Sequence, residues 1–598
     1  MHSYITHKNK NPLVYLAKKM WQYSEGNRRT VVLFVCMFIV ADILWALEPL
    51  VVGFILNEIQ EKGLNMGNVP YIFSLLLIFL FLDIIAWAFH GPARVMETKN
   101  AFRVRANYKK YLLQGTMALP IDWHSNHHSG DIIDKIEKGS SAVSNFSENT
   151  FQVIQAVVTL LAGVLALLYY DAVATAAMML LLLPTFFIIA HFDKQLIPGY
   201  KKVSAMDNET SAKVFDALSN VVTVIILRVE SLVFHALDIS IHSSFAQYGT
   251  NAKLNEMKWF SASVLGRLAA VTVIGVYLWR QLITGTAMLG TLFILYGYVD
   301  RIRGVFFQFA YLYNDIVRYR ASVSNAEDLS KDFRETLSYG ANRMSKGWDT
   351  LAIENLSFSY DGKDAPTDHI VDVSMRIKKG ERIALIGESG GGKSTFLKLV
   401  RDLYHPKTLS LSLDDTLMTG GFVHISDSIS LVPQDPEVFA TTIRENITLG
   451  VDYTESHIAV FTDMARFTDV VKRLPKGLES SIVEKGVNLS GGEKQRLALS
   501  RGLLASEDKD IILLDEPTSS VDFGNELSIY QNIFESFPRK AIISSIHRLH
   551  LLSLFDSVYF FKRGRIVASG SFEVLKEKSA EFQELWDNYI RARDAAGE

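Results

Sequence analysis

The sequence predicts a multidomain chain: an all-α transmembrane domain of six helices, followed by an α/β domain. Three observations carry this. Phe151–Tyr170, Ala172–Ala190 and Gln281–Val299 contain no charged residue, and each is long enough to cross a bilayer as a helix. Beyond Gly347 no such run occurs. In that second half, "ERIALIGESGGGKSTFLKLV" and "KDIILLDEPTSS" each read as a short apolar strand running into a loop, the pattern of an α/β sheet.

Three further runs complete the six spans: Val31–Leu56 with Asp42 and Glu48, Tyr71–Phe89 with Asp83, and Ser261–Trp279 with Arg267. The first follows a polar, basic leader and is too long for the apolar core of a signal peptide, so it is expected to be retained. Basic residues crowd the leader (Lys8, Lys10, Lys18, Lys19, Arg28, Arg29) and the segments after spans two and four (Arg103, Arg105, Lys109, Lys110; Lys201, Lys202). Asn57–Pro70 offers only Lys62, and spans three and four meet across Asp171 alone. The positive-inside rule then puts both termini in the cytoplasm, and a bacterial plasma membrane is the expected location. The inner segments are too long for plain loops, and Ala101, Val104, Tyr108 and Leu112 recur at helical spacing, so spans two to five should run on as long helices.

Bulk composition excludes more than it assigns. The 598 residues are 49% hydrophobic and carry a formal net charge of -3, with no basic block that would call for nucleic acid. One cysteine, Cys36, rules out a disulfide within the chain and a cysteine-rich metal site.

Chemistry concentrates in the second half. In Gly387–Ser394 (Gly387, Glu388, Ser389, Gly390, Gly391, Gly392, Lys393, Ser394), the glycines let backbone N–H groups turn onto phosphate oxygens at a helix N-terminus. Lys393 would reach the β- and γ-phosphates and Ser394 would hold Mg²⁺. Asp515 and Glu516 end the strand pattern Ile511–Leu514, where Asp515 could hold Mg²⁺ and Glu516 could polarise the attacking water. "LSGGEKQ" poses a separate problem. Ser490 followed by Glu493 fits a capping box, which does not account for Gly491 and Gly492, two residues that cost helix stability.

Gly387–Ser394, Leu489–Gln495 and "LLDE" (Leu513–Glu516) together resemble the nucleotide-binding domain of ATP-binding cassette (ABC) proteins, and six spans ahead of it resemble an exporter-type half-transporter. The resemblance covers nearly the whole chain. It implies a leader over 1–30, a transmembrane domain over 31–335 with cytoplasmic helical extensions, a linker over 336–350 and the ATP-binding cassette over 351–598. It implies that the turn of Ser490, Gly491, Gly492 and Glu493 completes the ATP site of a second subunit, with ATP sandwiched between the two. It also implies an adenine-stacking role for Tyr360, contact with nucleotide for Thr395 as part of the P-loop, Mg²⁺ and water contact for Gln434, and γ-phosphate contact for His547. With Glu516, Ser490 and His547 all of the expected type, both sites of a homodimer should hydrolyse ATP, although an unlike partner stays open.

The expected activity is ATP-driven export of a hydrophobic or amphipathic cargo, with a peptide exporter or a membrane ATPase that gates rather than pumps as alternatives. Leu119–Ile132 sits where the family's coupling helix meets the nucleotide-binding domain. His124 and His128 have metal-like i, i+4 spacing there, but the segment lacks an obvious third ligand. Counted from Gln281, Asp300, Arg301 and Arg303 lie about 28–33 Å along span six, where snorkelling to headgroups competes with contact to an anionic cargo. Arg267, roughly 9 Å into span five, would need a carboxylate such as Asp42 or Asp83, or an anionic substrate.

Overall fold

The structure, a computed structural model, describes residues 11–127, 129–285, 287–333, 342–360, 369–435, 437–482 and 489–596. It divides into two compact units: Met1–Met117 with His128–Phe333, and Ala118–His127 with Arg334–Glu598.

The first unit is all helical. Helix α1 (Pro12–Tyr23) lies in the leader, capped by the Asn11 side chain. The first apolar run is two helices, α2 (Arg28–Ala46) and α3 (Glu48–Lys62), parted at Leu47. Pro49 causes the break, because it has no N–H to give the carbonyl of Trp45 four residues back. Then come α4 (Val69–Met117), the short α5 (Ile121–Ser125), which falls in the second unit, α6 (Ser129–Glu148) and α7 (Thr150–Tyr170). Helix α8 (Ala172–Ser219) is followed by α9 (Val221–Ile226), α10 (Glu230–His242), α11 (Phe245–Thr284) and α12 (Leu289–Ser330). Asp171 caps α8 by accepting from the N–H groups of Val173 and Ala174, and Arg280 donates to the same oxygen at 2.6 Å.

Five helical stretches among the described residues are long and apolar enough to cross a membrane: Arg28–Lys62, Val69–Met117, Ser129–Tyr170, Ala172–Ser219 and Glu230–Ile283. The expected sixth span, Gln281–Val299, is not one helix. Gly285, at φ +72°, ends α11 with its N–H on the carbonyl of Gln281, and α12 starts only at Leu289. Counted from Leu289, Arg301 and Arg303 sit about 18 and 21 Å along the helix, not at its far end. Arg301 has partners within the protein. It donates to the Trp45 carbonyl at 2.7 Å and pairs with Glu48, while the hydroxyl of Tyr298 donates to the Ala46 carbonyl at 2.8 Å. Helix α12 thus satisfies the backbone that Pro49 frees, as an apolar surrounding requires. Arg303 pairs with Asp300 at 2.5 Å. Arg267 is exposed on this unit rather than buried, and Asp83 accepts instead from the Trp45 indole at 3.0 Å.

The second unit holds two sheets. Strands β1 (Thr350–Phe358), β2 (Ile370–Lys378), β4 (Thr408–Leu413) and β5 (Thr416–Leu417) form an antiparallel sheet in the order β2-β1-β4-β5. The larger sheet runs β10-β9-β3-β8-β7-β6, built from β3 (Arg382–Ile386), β6 (Ile429–Val432), β7 (Ile511–Asp515), β8 (Ala541–Ser545), β9 (Ser557–Lys562) and β10 (Arg565–Gly570). All its pairs are parallel except β10 with β9. Strands β7 and β8 are buried at every position, which is why they read as continuous apolar runs. Helices α13 (Lys393–Val400), α14 (Ile443–Thr448), α15 (Glu455–Met464), α16 (Thr468–Arg473), α17 (Gly491–Ala505), α18 (Phe523–Ser536), α19 (Phe572–Lys578) and α20 (Ala580–Ala596) complete it.

The expected linker over 336–350 lies partly outside the described residues. Its described part is no free tether: Met344 and Trp348 are buried in the core beneath β1, and the Trp348 indole donates to Asp510 at 3.3 Å.

Candidate nucleotide site

Parallel topology gathers the site. Strands β3, β8, β7 and β6 are neighbours, and the residues singled out by the sequence follow their carboxyl ends: Gly387 after β3, His547 after β8, Asp515 and Glu516 at the end of β7, Gln434 after β6. Such a sheet places its ligand chemistry along that edge.

The Gly387–Gly392 loop can be built only from glycine at two points. Gly387 has φ +140°, and a Cβ there would lie 2.0 Å from the carbonyl oxygen of Phe561; Gly392, at φ +107°, would press Ile370 at 2.9 Å. The loop wraps tightly, with the Gly391 N–H on the Glu388 carbonyl at 3.0 Å, while Ser389 and Gly390 are exposed at its tip. Lys393 opens α13 and donates to the carbonyls of Gly387 and Glu388 at 2.7 and 3.2 Å. Burial pushes its ammonium below the ordinary lysine value, against the opposing pull of Glu516 and Asp515. A partly buried cation inside a glycine loop at a helix N-terminus is a place for a polyanion.

Ser394 donates to Asp515 Oδ1 at 2.9 Å, and Ser545 donates to the same oxygen at 2.8 Å. Hard oxygens so close together fit a divalent cation such as Mg²⁺. Glu516 stands next to them at φ +47°, a left-handed conformation unusual for glutamate, with its N–H on the Ser545 hydroxyl at 2.9 Å. That geometry costs about 1–3 kcal/mol and marks a position held for its side chain. The carboxylate is gripped at both oxygens: Gln434 Nε2 donates to Oε2 at 2.7 Å, and His547 Nε2 lies 2.5 Å from Oε1. A carboxylate oxygen accepts, so Nε2 of His547 carries the proton in this pair.

Tyr360, two residues after β1, joins an aromatic cluster with Phe358, His369 and Tyr404, and its hydroxyl lies 3.3 Å from Thr395 Oγ1. The second turn stands apart. Ser490 caps α17 by accepting from the Glu493 N–H at 3.3 Å, and Glu493 accepts from the Ser490 N–H at 2.9 Å, the full capping box. Arg473 also binds Glu493. Among the described residues, none of this turn's hydrogen bonds reaches the Gly387–Ser394 loop. A Cβ at Gly491 would meet nothing within 4 Å, whereas one at Gly492 would lie 2.7 Å from the Ser520 carbonyl.

Sequence reasoning missed three supporting residues. Ser545 steadies both Asp515 and Glu516, and its only signal was a hydroxyl inside an apolar strand. Gln495 donates to the Glu516 carbonyl at 3.2 Å and to Ser519 at 2.8 Å, and it accepts from the Ser520 N–H at 2.8 Å. Tyr404 packs edge-on against Tyr360, 5.1 Å between ring centres. As for a histidine metal site, His128 lies outside the described residues, and no cluster of three or more metal-ligating side chains occurs among those described.

Comparison with known proteins follows the same division. The family model for the ABC transporter transmembrane region matches residues 31–299, and that for the ABC transporter matches residues 370–519. The chain is 27% identical over 492 residues to ATP-binding cassette sub-family B member 6 of Mesocricetus auratus, covering 80% of this chain but only 57% of that protein. It is 25% identical over 597 residues to the Beta-(1-->2)glucan export ATP-binding/permease protein NdvA of Brucella suis biovar 1 (strain 1330), covering 95% of this chain and 94% of the other. Its fold is shared with a bacterial Atm1-family ABC exporter solved with ATP bound, at a TM-score of 0.80 and 20% identity, over 94% of this chain and 98% of that one.

Proposed function

Since the chain belongs to the ABC transporter family, with an N-terminal transmembrane region fused to a C-terminal ABC ATPase domain, we propose that it is a half-transporter that exports a hydrophobic or amphipathic cargo at the expense of ATP. One observation carries the reading: Glu516 is held at both carboxylate oxygens by Gln434 and His547, beside the Ser394–Asp515 pair and the Gly387–Gly392 cradle. Phosphoryl transfer to water asks the protein for positioning and charge more than for covalent chemistry, and these side chains supply both.

In this reading Tyr360 stacks on the adenine, and the N–H groups of Gly387–Thr395 with Lys393 hold the phosphates. Ser394 and Asp515, with Gln434, would hold Mg²⁺, whose charge offsets that developing on the phosphate oxygens. Glu516 orients and polarises the attacking water, and His547 faces the γ-phosphate. The Ser490–Glu493 turn serves the site of a second chain, so two chains make two sites and ATP draws the ATPase domains together. That closure turns the membrane helices from inward- to outward-facing, and hydrolysis resets them. A second copy of this chain is the simplest partner, because no position of the site is of a disabled type. Of the three span arginines singled out, Arg301 and Arg303 carry carboxylate partners, and the exposed Arg267 offers a cation to the anionic group of an amphipathic cargo.

The test is transport. Inside-out vesicles carrying the chain should accumulate cargo against a gradient only with ATP, and Glu516→Gln should abolish it. The cargo itself should be sought by mass spectrometry of what co-purifies with Glu516→Gln protein in nanodiscs. Cargo that stimulates hydrolysis without ever accumulating would turn the reading toward a gate.

A further inference from the structure

Helix α18 is capped by the side chain of Asp522, the residue before it, and its first turn carries a carboxylate that none of the roles above uses. Glu526 is 3% exposed. Its Oε1 accepts from the Thr518 hydroxyl at 2.7 Å and its Oε2 from Arg548 Nη1 at 3.0 Å. The same Nη1 donates to the Val521 carbonyl at 3.0 Å. Thr518 lies two residues after Glu516, and Arg548 is the residue after His547. A cavity of about 100 Å³ is lined by Glu516, His547, Thr518, Glu526, Tyr530 and Arg548, so this pair stands directly behind the Glu516–His547 contact.

We infer that Glu526 is a positioning residue for hydrolysis: its carboxylate ties the Thr518–Val521 turn to Arg548 and so sets where His547 stands relative to Glu516. The inference rests on the reading of Glu516 and His547 as the hydrolytic pair. The physical reason is the price of moving a buried charge. A carboxylate taken out of water is tolerable only while its donors stay in place, and removing one leaves it uncompensated. Neither loop can then shift by an ångström without breaking a charge-assisted bond. Gln495 pins Ser519 and Ser520 from α17, so the turn is held by two separate elements.

The experiment uses the full chain in nanodiscs, with ATPase kinetics, ATP binding and thermal unfolding measured on each variant. Glu526→Gln keeps the volume and removes the charge; kcat should fall about ten- to a hundredfold, the effect of a small misplacement, with KM for ATP unchanged. Arg548→Lys should keep the larger part of the activity, and Arg548→Gln should match Glu526→Gln. The double variant Glu526→Gln/Arg548→Gln should be no slower than the slower single one, since both break one linkage. A wild-type kcat in Glu526→Gln would overturn the inference, as would an activity loss that only follows the folded fraction, or additive losses in the double variant. Should Glu526→Gln fail to fold, Thr518→Val severs one arm alone, and an unchanged kcat there refutes the role equally. Glu516→Gln run alongside separates the two levels. If it is inactive while Glu526→Gln turns over at full rate, only the positioning role falls; if Glu516→Gln itself hydrolyses normally, the reading of the site falls with it.

Discussion

At Glu516 one side chain shows how much of the function depends on placement. Its left-handed backbone turns the carboxylate off the end of β7 to where Gln434 and His547 reach both oxygens. Glu516→Gln keeps the shape but cannot take up the water's proton, so turnover should nearly vanish while ATP binding persists, giving a closed dimer with ATP occluded. Measured steady-state hydrolysis at the wild-type rate would remove Glu516 from this role. Lys393 is expected to behave differently. The residue is 4% exposed, with its ammonium on the Gly387 and Glu388 carbonyls; in the proposed reading it serves the phosphates, so Lys393→Ala should weaken nucleotide binding itself. Titration with a fluorescent ATP analogue is the check, and an unchanged affinity would count against the loop as a phosphate cradle.

Among the elements, the junction of α2 and α3 is the most instructive. Pro49 removes one helical hydrogen bond inside an apolar run, and α12 returns it through Arg301 and Tyr298. Arg301 is therefore a structural cation in this arrangement. Arg301→Ala should lower the unfolding midpoint, since a carbonyl and the Glu48 carboxylate lose their donor at a cost of about 1–3 kcal/mol. Combining it with Glu48→Gln should recover part of that loss, because no charge is then left unpaired. If the midpoint does not move and only cargo-stimulated ATPase changes, Arg301 contacts cargo instead.

For the whole molecule, the question is why one chain carries two glycine turns. In the folded chain the Ser490–Glu493 turn caps α17 and shares no described hydrogen bond with the P-loop, and the proposed role in a partner's site gives Gly491 a use that the cap does not. Gly491 opens onto empty space, and an aspartate at a helix N-terminus is favourable, so Gly491→Asp should fold normally. Against a partner's triphosphate in a poorly hydrated interface, the same carboxylate should repel. Gly491→Asp protein is expected to bind ATP at its own loop yet fail to dimerise its ATPase domains or hydrolyse. Mixed with Lys393→Ala chains it should regain one working site, from the first chain's P-loop and the second chain's turn. Full ATPase activity of Gly491→Asp alone would sink the two-chain site.

Local patterns carried far. Gly387–Ser394 announced a phosphate loop because only glycines allow that backbone, and Ile511–Leu514 announced a buried strand because an all-apolar run of that length has nowhere else to go. The capping box at Ser490 was legible for the same reason, since its two hydrogen bonds join residues three apart. What the sequence could not disclose were contacts between residues distant along the chain. Gln281–Val299 read as one span because hydropathy does not register that Gly285 takes a left-handed turn. Arg301 read as a choice between headgroup and cargo because its partners in the fold, Trp45 and Glu48, lie more than 250 residues away. Ser545, Gln495 and Glu526 went unseen as parts of the site, because a serine, a glutamine and a glutamate say nothing by type until the sheet brings β7 beside β8 and seats α17 and α18 behind them. Composition and periodicity by themselves determined the division into a membrane half and a half without spans, and motif spacing with the family resemblance pointed to the phosphate loop and the ATPase domain. Only the tertiary structure decided how Glu516 is held, because each of its grips comes from a different strand end, and strand order is set by packing rather than by any one segment.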